Sequence, residues 1–131
     1  MSKRYKVKGR TESGSFLALP RSILNSDEYC CLSAAAVKLL IDLATQYRGN
    51  NNGDLCCAWK LMQPRGWKSR DTLYKAQREL ERSGFILRAR QGGRNSANLF
   101  AITWKGIDEC KGKLDISANP VPLNLWKRLN T

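Results

Sequence analysis

Only three residues, Gly66-Trp67-Lys68, separate two stretches of helical pattern, and so short a glycine-containing connection obliges the two helices to be neighbours. The upstream helix is expected over about 58–65. Pro64 lies near its end, where it removes a backbone donor and strains the preceding turn, and Gly66 is the natural stop. The downstream helix opens on Ser69 as N-cap, carries Leu73, Ala76 and Leu80 on one face, and stops at Gly84 after Ser83.

The flanking segments supply what this pair packs against. A strong helix is expected from Ala34 to Tyr47 behind Ser33, with Val37, Leu40, Ile41 and Ala44 as the buried stripe and Leu43 and Tyr47 widening it. Arg48-Gly-Asn-Asn-Asn-Gly-Asp54 then forms a compact turn, its asparagines tolerating left-handed backbone and capping nearby amides, before a short strand at 54–56. Further upstream, Pro20 opens a single helical turn ending near Asn25. Beyond Gly84, residues 85–91 and 97–104 read as two strands joined by the tight turn Gly92-Gly93-Arg94-Asn95-Ser96. Residues 1–15, with Lys3, Arg4, Lys6, Lys8 and Arg10, read as a flexible basic arm, and 16–105 as one domain. Residues 106–131 read as a partly docked tail resting on Leu125, Trp126 and Leu129.

Composition narrows the chemistry. A chain of 131 residues builds one modest core, and 23 Lys and Arg against 11 Asp and Glu give a net charge of +12, a surplus that suits a polyanionic partner. There is no histidine, and no nucleophile-base pair or metal-ligand cluster is apparent, so neither an enzyme nor a cofactor is expected. Cysteines at 30, 31, 56, 57 and 110 form two adjacent pairs and one single, a spacing that suits reduced thiols in the cytoplasm. One of each pair is expected to face inward as a small apolar residue. No apolar run approaches the roughly 18–20 residues that a bilayer requires.

Helix, strand, helix, short turn, helix and hairpin is the element order of an α+β winged helix-turn-helix domain. The phrase Ser69-Arg-Asp-Thr-Leu-Tyr-Lys-Ala-Gln-Arg-Glu-Leu-Glu-Arg-Ser-Gly-Phe-Ile86 resembles the recognition helix and wing entry of such domains in bacterial transcriptional regulators and in phage or plasmid replication proteins. Asn51-Asn-Gly-Asp-Leu55, Arg65-Gly-Trp67 and Arg90-Gln-Gly-Gly-Arg94 are similar to small helix-turn-helix proteins of phages and integrated elements. The resemblance implies a sequence-specific protein for double-stranded DNA, possible homodimerisation through 120–129 or 16–24, and no membrane association.

On a wheel at about 100° per residue with Leu73 at zero, Asp71, Lys75, Arg78 and Arg82 fall opposite the apolar face and Tyr74 falls to its side. The candidate DNA contacts are therefore Lys68, Ser69, Arg70, Asp71, Tyr74, Lys75, Arg78 and Arg82 of this helix and its approach, Asp71 serving mainly to stabilise the helix N-terminus. The hairpin adds Arg88, Arg90, Arg94 and Asn95 in a stretch, 84–105, that also holds Lys105 and no acid. Gly92 and Gly93 are expected to let the backbone approach DNA. Trp59, Trp67 and Trp104 are expected to serve the core. The same scaffold also supports a second expectation, an adaptor or phage-borne inhibitor that docks another protein.

Overall fold

The computed structural model describes residues 14–130, with the backbone alone at 128–130, so the basic residues of the arm from Lys3 to Arg10 and the side chain of Leu129 lie outside the described residues. Two single-turn helices, α1 (Arg21–Leu24) and α2 (Asp27–Cys30), lead into α3 (Ala34–Ala44). Ser33 caps α3 by accepting the Ala36 amide, and Glu79 in turn accepts both the amide and the hydroxyl of Ser33 at 2.8 and 2.7 Å. The buried face of α3 is rotated from the expected stripe. Ala36, Leu39, Leu40 and Leu43 are enclosed with Ala44, whereas Val37 and Ile41 are only half-buried at the flank. A fully buried leucine contributes about 1.5–3 kcal/mol, so the face that meets the second helix layer prevails over an alternative stripe of similar apolar content. The α-helix ends at Ala44 and not Tyr47, because the Gln46 and Tyr47 amides tighten onto the Leu43 and Ala44 carbonyls. The Gln46 side chain then pairs with both backbone groups of Cys56.

The second expected helix is shorter than its pattern. It comprises α4 (Trp59–Met62) and a 3₁₀ turn at Gln63–Arg65, where Pro64 sits among the first residues of the turn and cannot donate. Gly66 follows in the left-handed region at φ 101°, and the third helix, α5 (Arg70–Ser83), begins on the Ser69 cap as expected. Gly84 closes α5 at φ 82°, and a Cβ there would stand 2.6 Å from the Leu125 backbone, so both conformation and space require glycine.

The hairpin pairs β1 (Ile86–Arg90) with β2 (Leu99–Ile102) in antiparallel register, with an irregularity between Arg88 and Arg90. Both strands are shorter than expected: the Phe85 amide is taken by Leu80 of α5, and Asn98 uses its side chain on the Gly92 amide, closing the ladder at either end. The strand expected at 54–56 is a single bridge from Leu55 to Phe100, placing it on the far edge of β2. The molecule is thus α+β, with helices packed on a two-stranded antiparallel sheet. No helix among the described residues is long and apolar enough to cross a membrane.

The C-terminal segment is bound at several points. Ile107 bridges Asn119, the Asp115 amide reaches the Ala89 carbonyl, and buried Trp126 stacks on Phe85 with ring centroids 5.9 Å apart. Asn52, fully buried, connects this segment to the sheet: its side chain accepts from the Ile102 amide and donates to the carbonyls of Ile102, Lys105 and Gly106. Trp67 and Trp104 are buried as expected and Trp59 is half-buried against the core. Cys57 is inward, with burial pushing its thiol pKa up to about 12, but Cys30 and Cys31 are both exposed. One turn of helix at the surface leaves neither member of that pair an interior to face.

Candidate nucleic-acid interface

The turn between α4 and α5 is anchored by a buried carboxylate. Asp42 of α3 accepts from the Trp67 indole at 2.9 Å, Arg65 Nε at 3.0 Å and Lys38 Nζ at 3.2 Å, while Lys38 also donates to the Arg65 carbonyl. Burial alone would raise this carboxyl's pKa, but the hydrogen bonds from Trp67, Arg65 and Lys38 outweigh it and hold the group below its ordinary value of 3.8. Because the folded value lies below the unfolded one, the stabilisation is complete above the ordinary carboxylate range and disappears as pH falls through the folded value. Asp42→Asn is expected to cost about 2–3 kcal/mol at neutral pH. The difference from the parent should shrink in acid, as urea unfolding at both conditions will measure. Equal midpoints at neutral pH would refute the role.

Fixed in this way, α5 presents a cationic outer face. Lys68, Arg70, Asp71, Tyr74, Lys75, Arg78 and Arg82 are all exposed, and Ser69 is occupied as the cap. Arg70 lies over the Trp59 ring at 5.4 Å. Arg78 lies over Tyr74 at 5.6 Å and donates to its hydroxyl at 2.9 Å, so this guanidinium is held in place while remaining in solvent. Asp71 sits in the first turn, where it suits the helix dipole, and pairs with Lys75 at 3.1 Å. The two glutamates of α5 are drawn toward the protein: Glu79 binds Ser33, and Glu81 accepts two bonds from Arg88 at 3.1 and 3.2 Å.

The hairpin divides into a braced root and an open tip. Arg88 is half-buried, bonded to Glu81 and Gln91 and lying 5.6 Å over the Phe100 ring, so it braces sheet against helix. Arg90 is also half-buried and donates to the Ala97 carbonyl. The structure therefore does not bring these two expected contacts to the open face. Arg94 and Asn95 occupy the tip between the bridged residues Gly93 and Ser96, exposed, and Arg94 makes no ion pair among the described residues. Gly92 serves the loop itself, since a Cβ there would meet the Ser96 carbonyl at 2.4 Å, whereas a Cβ on Gly93 would meet open space.

Helix and tip share one cleft. Gln77 of α5 and the tip-flanking Gly93 and Ser96 line the same recess of about 360 Å³. On the helical wheel Gln77 stands near 40°, with Arg70 near 60°, Tyr74 near 100° and Arg78 near 140°, so the cationic side of α5 borders the recess. Sequence inspection missed Asp42 and Gln77, because a polar residue within an apolar helical pattern carries no sign of the partners that bury it. No family model, curated protein or solved structure matches the chain.

Proposed function

We propose that the chain is a winged helix-turn-helix protein that binds double-stranded DNA sequence-specifically, as a transcriptional regulator or as a phage or plasmid replication protein. In this assignment α3, the Leu55 bridge, α4, α5 and the hairpin are the elements of the domain, with Leu55 as the third strand of the wing. The N-terminal half of α5 enters the major groove, where arginine and lysine read guanine and hold phosphates, and the hairpin tip rests on the adjacent backbone or minor groove.

The observation that carries this proposal is the segregation of charge on α5. Its arginines and lysines face solvent beside an arginine-tipped turn, while Glu79 and Glu81 are bound to Ser33 and Arg88. A merely solvated helix would gain nothing from removing its glutamates from the outer face. About six phosphate contacts imply that affinity falls roughly a thousandfold between about 50 and 200 mM salt. Selection from a random duplex pool followed by sequencing tests specificity, and an enriched inverted repeat would indicate two copies per site. A pool that shows no enriched motif ends the sequence-specific proposal. Affinity indifferent to salt ends the nucleic-acid proposal altogether.

A further inference from the structure

The recess between α5 and the hairpin has no charged side chain in its lining, although cations surround it. Its polar groups are three side-chain amides, Gln77, Gln91 and Asn98, with the Ser96 hydroxyl, set over Cys57 and Phe100. In each amide the oxygen is already engaged. Cys57 donates to Gln77 Oε1 at 3.1 Å, Arg88 to Gln91 Oε1 at 2.9 Å, and the Gly92 amide to Asn98 Oδ1 at 2.6 Å. Their amino groups make no hydrogen bond to other described residues. The recess therefore offers donors from its helix wall and from its hairpin wall, and calls for a neutral guest with acceptors on two flanks. Gln77 is only 8% exposed, beyond reach of the edge of a stacked base pair, so a base must leave the helix stack to meet it.

Resting on the DNA-binding assignment above, we propose that this recess receives one unpaired thymine of the bound DNA. Thymine carries carbonyl oxygens on two sides of its ring, matching donors from Gln77 on one wall and from Gln91 and Asn98 on the other. Adenine would turn its own amino donor toward them. A phosphate would enter with its charge and find no cation in the lining, which makes it a poor guest. Extruding a paired base costs a few kcal/mol and an unpaired one far less, so the recess confers preference for a duplex with a bulged or mismatched thymidine.

Fluorescence anisotropy with duplexes identical except at one position tests this. One is fully paired, and the others carry an unpaired thymidine, an unpaired adenosine or an abasic residue. The thymidine duplex is expected to bind about tenfold more tightly than the paired one, equivalent to about 1.4 kcal/mol, with the adenosine and abasic duplexes close to the paired one. Gln77→Leu, checked for native circular dichroism, should bring the thymidine-to-paired ratio to about one. Cys57→Ala frees the Gln77 oxygen and should narrow the discrimination between thymidine and adenosine. Equal affinity for all four duplexes, or an unchanged ratio in Gln77→Leu, overturns the proposal while leaving duplex binding intact. Equal preference for the abasic and thymidine duplexes overturns it by assigning the donors to the backbone. Failure to bind any of the four at low salt overturns the DNA-binding assignment beneath it.

Discussion

Asn52→Ala is expected to destabilise the protein by about 4 kcal/mol, enough to lower its melting temperature by roughly 15 °C. The residue is fully buried and its side chain satisfies the Ile102 amide and the carbonyls of Ile102, Lys105 and Gly106. Alanine leaves these groups enclosed without partners, at roughly 1–3 kcal/mol for each one that water cannot reach. Its own backbone also exchanges hydrogen bonds with Asp108, so the loop, the end of β2 and the C-terminal segment loosen together. Asn52→Asp separates donor from acceptor roles, because a carboxylate can still accept from Ile102 but must face the carbonyls. It should be at least as damaging as alanine. Urea unfolding measures both, and an alanine variant within about 1 kcal/mol of the parent would show that the loop tolerates the loss.

Replacing Arg78 and Arg94 together by glutamate is expected to lower duplex affinity by about a hundredfold or more, and to reduce the salt dependence by about two charges. Both guanidiniums are exposed and belong to the two elements that border the same recess. Neither forms an ion pair among the described residues, so reversal should leave the fold intact. Lys111→Glu, an equal change of charge at an exposed position outside α5 and the hairpin, should alter affinity by no more than about threefold. If the double variant binds DNA as the parent does, the cationic face is not the interface. Retention of some other activity by that variant would favour a protein-docking role for the same scaffold.

The contrast between these variants marks what could be read from the sequence. The position of α5 followed directly from Ser69, the apolar spacing of Leu73, Ala76 and Leu80, and Gly84, because caps and periodicity are local signals. The exposure of Arg70, Lys75, Arg78 and Arg94 followed from the same wheel and turn. Arg88 and Arg90 looked equivalent to them, yet they are half-buried, since strand alternation does not reveal that Glu81 lies within reach of one and the Ala97 carbonyl within reach of the other. The triple asparagine was legible only as a turn. Asn51 behaves as a turn residue, accepting from Arg48 and donating to Gln46, whereas Asn52 turns inward to partners more than fifty residues away. Long-range polar pairing leaves no periodic trace, which is also why Asp42 was indistinguishable from an ordinary helix-surface carboxylate.

The way the hairpin is fastened has a consequence for how such a protein can diversify. Its base is clasped from both sides, by Arg88 on Glu81 and by Asp115, whose amide and carboxylate grip Ala89 and Gln91. Arg94 and Asn95 project beyond that clasp with little holding them to the rest of the molecule. Mutation at the tip can therefore retune target preference at almost no penalty to folding, while mutation at the base strikes the scaffold first. Drift in recognition and conservation of architecture are thereby uncoupled within a dozen residues.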